Sequence, residues 1–179
     1  MDELTTPEGF LLRSWLPTDA PAVLRAFAPA EMNWQTDRPV SDQADALVWI
    51  ASRLRERRDR TSYSWAVVGE EGEALGCVAV DVVNRIHETG WVSYWTTEEA
   101  RGRGVASAGV RALARWAFRE GGFYRLELGH RTNNPASCRV AERSGFASEG
   151  IERAKLRYGR YRYDIERHAR LADDDVNFD

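Results

Sequence analysis

The sequence lacks the features typical of secreted, membrane-spanning and nucleic-acid-binding proteins. Its 179 residues include only two cysteines, Cys77 and Cys138, which form neither a disulfide framework nor a metal-binding cysteine motif. No run approaches the ~20 apolar residues that span a bilayer, and Met1–Leu4 shows no signal-peptide pattern. The net charge of −3 argues against a nucleic-acid partner. These absences predict a cytoplasmic protein with reduced thiols that binds neither nucleic acid nor membrane.

Internal repeats, low-complexity tracts and linkers are absent too, so the sequence predicts one domain. Apolar residues make up 43% of the chain and charged residues 30%, which is typical of a globular protein with a substantial core. We expect this domain to cover residues 1–172. The run Asp173–Asp175 begins an acidic tail, 173–179, that we expect to be frayed.

A glycine-rich turn, Arg101–Ala106, lies between a strand-like run, Trp91–Trp95, and a long helical pattern. Glycine lets backbone N–H groups approach a ligand closely, and a helix N-terminus adds the positive end of a dipole. Arg101 and Arg103 add charge that suits a phosphate. The third glycine of the dinucleotide fingerprint and the Gly-Lys-Ser/Thr ending of the P-loop are both missing. The turn therefore predicts a site for another phosphorylated small molecule, with a plain surface turn as the alternative.

Two segments resemble the GCN5-related N-acetyltransferase (GNAT) superfamily. Arg101, Gly104 and Ala106 occupy the fixed positions of its Arg/Gln-x-x-Gly-x-Gly/Ala loop. The segment Asn134–Phe146 resembles the Asn-x-x-Ser…Glu-Lys-x-Gly-Phe segment of its ribosomal-protein N-terminal acetyltransferase (RimJ/RimL-like) branch. The resemblance is strong over residues 91–164 and only general before them. It implies an acetyl-coenzyme A-dependent N-acetyltransferase.

The resemblance also implies an α+β fold with three layers, α/β/α, around a mixed, mostly antiparallel seven-stranded sheet. Three strand candidates, Tyr63–Gly69, Gly76–Val83 and Thr89–Trp95, form an antiparallel meander. A helix from about Arg103 to Glu120 leads to a strand at Arg125–His130, so these last two strands should be parallel in a central βαβ crossover. In the superfamily the two strands splay apart at one end, and the pantetheine arm lies between them.

Caps and periodicity predict the remaining elements. Ser41 is a candidate N-cap for a helix, and Arg53–Arg60 on that helix is interpreted as a solvated face rather than an RNA-binding patch. The apolar residues at helical spacing on its expected inner face are Leu47, Ile50, Ala51 and Leu54. The other predicted elements are a strand at Phe10–Trp15, a helix from Asp19, a short helix at Ala136–Ser144, and a hairpin of Ala147–Arg153 with Tyr163–Leu171.

The resemblance implies acetyl-coenzyme A as co-substrate and no metal. Asn134 would hold a pantetheine amide, although asparagine is also a good N-cap. The cofactor-binding positions carried onto this sequence are Trp95, Thr96, Thr97, Arg101, Gly102, Arg103, Gly104, Val105, Ala106, Ser107, Asn134 and Arg139.

Acetyl transfer from a thioester to an amine needs aligned reactants, a neutral amine, a polarised carbonyl and a stabilised thiolate. A backbone N–H near Trp95 or Thr96 is the expected oxyanion donor, which makes Trp95 a candidate catalytic residue. Ser137, the serine of the Asn-x-x-Ser motif, is expected to hydrogen-bond the leaving thiolate. The alternative for Ser137 is that it caps its helix or lies in the first turn without a chemical role.

The general base is left open by the sequence. Members of the branch often carry an acidic residue two positions before a Gly-Tyr-Trp at the strand end, but here Trp91 takes the acidic place and Ser93 replaces the glycine. Glu88, Glu127 and His130 are other candidates. Deprotonation through water is at least as good an alternative as any one of them.

The acceptor is expected to contact the segment between the first two helices, which carries Glu31, Asn33, Trp34 and Asp37. Acidic and aromatic side chains there would suit a cationic amine, with a solvated loop as the alternative. Glu31, Trp34 and Trp91 are the candidate acceptor-binding residues. The predicted function is acetyl transfer to a protein N-terminus or a small-molecule amine by direct attack in a ternary complex, in a monomer or homodimer. A non-catalytic acyl-coenzyme A-binding or sensing module is the alternative.

Overall fold

The computed structural model describes residues 3–36 and 38–174, apart from the side chains of Asn33 and Trp34. Among these residues the chain forms eight strands, four α-helices and three short 3₁₀ turns. In chain order the strands and helices are β1 (Leu4–Thr5), β2 (Leu11–Arg13), α1 (Ala20–Phe27), α2 (Gln43–Arg58), β3 (Tyr63–Val68), β4 (Ala74–Asn84), β5 (Thr89–Thr96), α3 (Val105–Arg119), β6 (Arg125–Arg131), α4 (Pro135–Arg143), β7 (Ala147–Tyr158) and β8 (Tyr161–Leu171). The 3₁₀ turns are Pro17–Asp19, Ala30–Trp34 and Glu98–Ala100.

The strands form one mixed sheet with the order β1-β2-β3-β4-β5-β6-β8-β7. Every neighbouring pair is antiparallel except β5 and β6, so the predicted meander and crossover are confirmed. The sheet has eight strands rather than the predicted seven. The difference is a minor one, because one of the eight, β1, has only two residues, which pair with Leu11 and Leu12.

Helices cover both faces of the sheet, which confirms the three-layer prediction. On one face α1 and α2 pack over residues such as Ala66, Val68 and Cys77. On the other, α3 packs over Val67 and Val78. Strands buried on both faces read as continuous apolar runs, and β3 and β4 fit this pattern.

A glycine lets α3 approach the sheet closely. A Cβ on Gly109 would lie only 2.9 Å from Val78 Cγ1 and 3.0 Å from Val67 Cγ2. The buried residues of α3 include Val110 and Leu113. Close packing therefore holds α3 against the sheet. This packing also fixes the position of the glycine-rich turn, which directly precedes α3.

Helix α2 differs from its prediction in two respects. Its N-cap is Asp42, whose Oδ1 accepts a 2.8 Å hydrogen bond from Asp45 N, and not Ser41. Its buried positions are Ala46 and Ile50, whereas Leu47 is 38% exposed. The predicted inner face is confirmed at Ile50 and at Leu54, which packs against the same core, and it is wrong at Leu47. The Trp49 ring packs there instead, edge-on against Trp15. The side chain of Ala51 is also exposed.

The arginine run at the end of α2 is only partly solvated. Arg53 lies 3.5 Å from Asp81, and the Arg57 guanidinium lies 4.3 Å from the Trp65 ring centroid. Both arginines are half-buried, because their aliphatic stems and charged groups cover the edge of the sheet. Arg55, Arg58 and Arg60 are exposed, as expected.

At the end of the described chain, the first two residues of the acidic run make hydrogen bonds. The Tyr124 hydroxyl lies 3.0 Å from Asp173 Oδ2, and Leu171 N donates to Asp174 Oδ2 at 2.8 Å. Residues 175–179 of the expected tail lie outside the described residues. None of the described helices is long and apolar enough to cross a bilayer.

Candidate active site

The parallel strands β5 and β6 separate after a short paired segment. Their pairing covers Thr89–Trp91 and Arg125–Glu127 and then stops. Strand β5 continues to Thr96 alongside β4, and β6 continues to Arg131 alongside β8. The splay that the family resemblance implied is therefore present, and it opens a wedge between the C-terminal halves of the two strands.

Hydrogen bonds at both ends of β5 fix which backbone groups face the wedge. Arg125 N donates to Glu88 O at 3.1 Å on the β6 side, and Thr97 N donates to Leu75 O at 2.9 Å on the β4 side. Because backbone groups alternate along a strand, the N–H groups of Tyr94 and Thr96 point into the wedge. The backbone N–H of Trp95 points to β4 instead, which corrects its expected role as an oxyanion donor.

Thr97 is also misplaced for a cofactor contact. Its N–H is bonded to Leu75 O, its carbonyl accepts from Ala100 N at 3.1 Å, and its residue is only 2% exposed. Thr97 therefore ends the strand and begins a 3₁₀ turn rather than offering groups to a ligand. The expectation that it binds the cofactor is not supported by this geometry.

The opposite wall of the wedge is formed by β6. Thr132 N donates to Asp164 O on the β8 side at 3.1 Å. By alternation the N–H groups of Gly129 and Arg131 point into the wedge. Neither has a backbone partner among the described residues. Buried backbone donors are almost always paired, so this wall is suited to a ligand that carries amide carbonyls.

The glycine-rich turn lies at the end of the wedge. Gly102 and Gly104 have φ values of 73° and 81°, in the left-handed region that glycine tolerates best. Gly104 is the N-cap of α3 and supplies no capping side chain. The first intrahelical bond is from Ala108 N to Gly104 O at 2.9 Å. The N–H groups of the first helical turn, from Val105, Ala106 and Ser107, therefore remain available to an anion.

The surroundings of this turn suit a large anion. A Cβ added to Gly102 or Gly104 would meet no atom within 4 Å, so the space beside the turn is open. Arg101 and Arg103 are exposed and form no ion pair with any described residue. Glu99, in the turn before, lies 3.6 Å from Arg25. The predicted grouping of glycines, arginines and a helix N-terminus is thus present in space.

Helix α4 lies beside the same wedge and begins at the Asn134 cap. Asn134 Oδ1 accepts a 3.2 Å hydrogen bond from Ser137 N. Ser137 is therefore the third residue of the helix and not its cap, so the capping alternative for Ser137 is wrong. Its side chain lies within hydrogen-bonding reach of the Tyr94 phenol. Arg139, two residues further along the helix, is exposed.

Tyr94 is a site residue that sequence reasoning missed. Its side chain extends from β5 toward α4, where the hydroxyl donates to Ser137 O at 3.3 Å. Burial raises the pKa of the Tyr94 phenol, so it stays protonated at neutral pH. The sequence did contain a signal for Tyr94. Side chains alternate along a strand, so Tyr94 lies on the face opposite Trp95, which is the face that α4 covers.

The aromatic residues on the opposite face are mostly structural. The Trp95 ring packs among Trp15, Phe27 and Trp49, with ring centroids 5.7–5.9 Å from its own. Trp91 lies under the Arg167 guanidinium, 4.7 Å from its ring centroid. Both tryptophans border the face on which an acceptor could approach.

The segment expected to select the acceptor is only partly described. Glu31 is exposed in its 3₁₀ turn. The side chains of Asn33 and Trp34, and the whole of Asp37, lie outside the described residues. The prediction that this segment contacts the acceptor therefore stays a prediction.

The candidate bases are poorly placed. Glu88 is exposed at the paired end of β5, away from the wedge. Both oxygens of Glu127 are bonded to guanidinium groups, at 2.6 Å to Arg125 and 2.5 Å to Arg167. His130 is buried, with its Nε2 atom 3.1 Å from His168 Nε2. Deprotonation through water is the alternative that this geometry leaves standing.

Comparisons with known proteins agree with this geometry. A family model described as an acetyltransferase (GNAT) domain matches residues 10–147. The chain is 29% identical over 108 residues to the ribosomal-protein-serine acetyltransferase of Escherichia coli (strain K12), which is 60% of each protein. The match therefore spans less than two thirds of that relative.

Solved structures share the fold over almost the whole chain. One is a RimL ribosomal L7/L12 alpha-N-protein acetyltransferase in complex with coenzyme A, with a TM-score of 0.84 and 21% identity over 95% of this chain and 98% of that one. Another is the microcin C7 self-immunity acetyltransferase MccE in complex with acetyl-CoA and AMP, with a TM-score of 0.80 and 17% identity over 93% and 97%. At these identities the likeness establishes the fold, which confirms the predicted architecture.

Proposed function

Because the chain belongs to the GNAT acetyltransferase family, we propose that it transfers an acetyl group from acetyl-coenzyme A to a primary amine by direct attack in a ternary complex. The observation that carries this proposal is the wedge between β5 and β6. Its walls offer the N–H groups of Tyr94 and Thr96 on one side and of Gly129 and Arg131 on the other. A pantetheine arm has amide groups that complete this interrupted sheet.

The anchor of the cofactor is the glycine-rich turn. The N–H groups at the start of α3 and the guanidinium groups of Arg101 and Arg103 bind the pyrophosphate. Gly102 and Gly104 keep the approach open. On the α4 side, Arg139 and the Nδ2 atom of Asn134 contribute further cofactor contacts. The Oδ1 atom of Asn134 is already used to cap α4.

The reacting carbonyl lies at the open end of the wedge. The N–H of Thr96, or that of Tyr94 two residues earlier on the same edge of β5, polarises the thioester oxygen. A donor positioned in this way stabilises mainly the transition state. The neutral amine attacks the carbonyl carbon and releases a proton to water, the carbon–sulfur bond breaks, and the thiolate leaves toward α4. There the Ser137 hydroxyl, in the first turn of α4, hydrogen-bonds the sulfur. The Tyr94 phenol donates its one hydrogen to Ser137 O and so supports the turn that presents this serine.

For the acceptor we propose a polypeptide N-terminus. The sheet face opposite α4 is uncovered beyond β5, where Arg125, Glu127 and Arg167 form an ion-pair network under Trp91. Such an open face gives room for an extended chain that enters the wedge with its terminal amine first. A terminal amine has a pKa near 7.7–8.0, so it needs little help from a base, which agrees with the lack of a free carboxylate among the candidates.

The name of the ribosomal-protein-serine acetyltransferase relative supports the same acceptor class. A ribosomal protein, released or nascent in the cytoplasm, is the specific substrate we propose. A small-molecule amine is the second candidate, since the similar fold of MccE serves in self-immunity to microcin C7.

The test is a screen of the purified chain with acetyl-coenzyme A and a panel of amines, with release of the free thiol as the readout. The panel contains peptides with free Ser, Ala and Met N-termini, the same peptides blocked at the N-terminus but carrying a lysine, and small polyamines and aminoglycosides. Turnover of the free N-terminal peptides alone supports the proposal. Turnover of small amines alone removes the polypeptide acceptor, and cofactor binding without any turnover favours the sensing module.

A further inference from the structure

Four potential metal ligands meet beneath the first turns of α4. His130 extends from β6, Glu166 and His168 from β8, and Cys138 from α4. Their ligand atoms all lie within 4.8 Å of one another. The sequence does not reveal this cluster, because the β6–β8 register brings together two histidines that lie far apart in the chain.

The hydrogen bonds of the two histidines fix their orientation. His130 Nδ1 lies 3.0 Å from Arg131 O, and His168 Nδ1 lies 3.4 Å from Phe146 O. A carbonyl oxygen only accepts, so each Nδ1 atom carries the proton and each Nε2 atom is left with a lone pair. The two Nε2 atoms face each other at 3.1 Å, in residues that are 6% and 2% exposed. Two buried lone pairs in contact repel each other, and a cation bound between them would remove this repulsion.

From this arrangement we propose that His130, Cys138, Glu166 and His168 bind one zinc-class divalent ion. Two nitrogens at 2.0–2.1 Å from a tetrahedral zinc are roughly 3.3–3.4 Å apart, close to the separation seen here. Glu166 oxygens lie 3.7 Å from His168 Nε2 and 3.8 Å from His130 Nε2. Thiolate, imidazole and carboxylate together are the donors that zinc accepts in four-coordinate sites.

The surroundings of the cluster match those of a metal centre. Histidine ligands usually donate their second N–H to a carbonyl or carboxylate, which fixes the ring and the tautomer. Both histidines do so here. Glu166 is held in the same way, since the Ser148 hydroxyl donates to its Oε1 atom at 2.9 Å.

The ion would tie α4 to the two strands below it. Cys138 follows Ser137 directly, and the Tyr94 hydroxyl contacts the Ser137 carbonyl. A bound ion therefore fixes the helix turn that presents Ser137 to the wedge. Its role is structural, and acetyl transfer needs no step on the metal. The inference is thus independent of the acceptor and of the catalytic roles proposed above.

The first experiment measures metal binding by the full chain, without an affinity tag, under a thiol reductant. After dialysis against EDTA, the protein is titrated with Zn²⁺ in competition with a chromophoric chelator. We expect one equivalent per chain and a rise in melting temperature, because a ligand that binds only the folded state stabilises it. A folded protein that binds no Zn²⁺ stoichiometrically would overturn the proposal and leave a shared proton between the two histidines.

The second experiment identifies the ligands with Co²⁺ as the probe. A bound thiolate gives a sulfur-to-cobalt charge-transfer band, which Cys138→Ser should remove although this variant is nearly isosteric. His168→Gln should weaken Zn²⁺ binding at least about a hundredfold, because it removes a primary ligand. The matched control is His87→Gln, since His87 is exposed on the loop before β5. Equal Zn²⁺ binding by His168→Gln and the control, or no charge-transfer band in the unmodified chain, would overturn the assignment.

Folding of each variant is checked by circular dichroism before titration. Should His168→Gln fail to fold, the charge-transfer band in Cys138→Ser decides the question. Cys77, the other cysteine, is buried between the sheet and α1–α2 and is retained in all the variants, so any remaining band would have to come from it.

Discussion

Strands β5 and β6 are paired at one end and separated at the other, and the two ends are built differently. At the paired end Gly90 packs so tightly that a Cβ would lie 2.3 Å from Val80 Cγ1. Arg125 there bonds both Glu127 and Glu149. At the separated end Tyr94, Thr96 and Gly129 offer backbone groups that no described residue uses. One end therefore contributes to stability, and the other is left for a ligand.

This contrast shows how a single pair of strands serves two purposes. The paired end holds the strands at a fixed distance, so the separated end can keep unpaired groups in place without collapsing. Substitutions at the two ends should accordingly affect different measurements. Changes at the separated end should alter binding or turnover, and changes at the paired end should alter the free energy of unfolding.

The largest effect is expected from Gly104→Asp at the separated end. The new carboxylate would face the pyrophosphate at the start of α3, where both charge and bulk oppose binding. At about 100 times its Kd, acetyl-coenzyme A should stabilise the unmodified chain by about 2.7 kcal/mol. We expect no such shift in melting temperature for the variant.

The matched control is Gly104→Asn, which has nearly the same shape without the charge. Asparagine tolerates the left-handed conformation of this residue as well as aspartate does. Weak but measurable binding by Gly104→Asn would assign the loss to charge. An unchanged shift in folded Gly104→Asp would remove the phosphate role from this turn.

The second effect is expected from Ser137→Ala, which removes the proposed hydrogen bond to the thiolate. A hydrogen bond to a charged partner contributes roughly 1.5–3 kcal/mol, so turnover should fall about ten- to a hundredfold. Cofactor affinity should hardly change, because the interaction is made mainly in the transition state. Initial rates and ligand-induced melting shifts measure the two quantities separately.

Asn134→Ala provides the contrast, since Asn134 and not Ser137 caps α4. Loss of that cap should cost about 0.5–2 kcal/mol of stability. If Ser137→Ala instead destabilises the chain and keeps full turnover, Ser137 has no part in the mechanism.

A third effect is expected at the paired end from Gly90→Ala. Its Cβ would overlap Val80 and approach Phe123 to 3.0 Å, so the strands must shift at a cost of about 1–3 kcal/mol. Urea unfolding should show this loss, while Kd for acetyl-coenzyme A stays nearly constant well below the melting range. Gly129→Ala is the counterpart at the separated end, where a Cβ would press on Trp91 and Ile165. A selective loss of cofactor affinity in Gly90→Ala would show that the two ends are not independent.

The smallest effect is expected from Glu149→Gln, also at the paired end. The hydrogen bond from Arg125 lowers the pKa of the Glu149 carboxyl below its usual value. The stabilisation by this ion pair is therefore fully present above about pH 4.3, the pKa of a glutamate in the unfolded chain. It is lost as the pH falls through the lower pKa of Glu149 in the folded chain. The pair is largely exposed, so the difference between variant and parent should be under about 1 kcal/mol at pH 7.

The corresponding measurement is urea unfolding of both proteins at pH 7 and pH 3. The difference between them should be smaller at pH 3 than at pH 7, because the carboxyl of the unfolded chain is largely protonated at pH 3. Glu71→Gln, at an exposed glutamate without an ion pair among the described residues, is the control. A difference of the same size at both pH values would assign the effect to packing.

Much of the fold could be predicted because its elements depend on local signals. The apolar runs of β3 and β4, and the glycine-rich turn before α3, are contained in short segments of sequence. The inner face of α2 could be found in this way only in part, at Ile50 and Leu54. The burial of Trp49 in place of Leu47 depends on its contact with Trp15, which lies outside the helix.

The site, like the fold, could be predicted where it depends on local sequence motifs. The turn and Ser137 belong to local motifs, whereas the oxyanion donor depends on which way each N–H points along β5. The direction of each N–H is fixed by the hydrogen bond from Thr97 N to Leu75 O on the neighbouring strand. This direction excludes the N–H of Trp95 as the oxyanion donor. The grouping of His130 with His168 requires the β6–β8 register, because 38 residues separate them in the chain.

The strand order also has a consequence for how the molecule is synthesised. β8 lies between β6 and β7, although β7 precedes it in the chain. A ribosome adding 5–20 residues per second needs several seconds to proceed from β6 to the end of β8. During that interval β6 is an open edge, and its strand pairing among the described residues is limited to three residues of β5. One wall of the wedge is thus completed last, so the nascent chain should bind its cofactor only after β8 has been inserted.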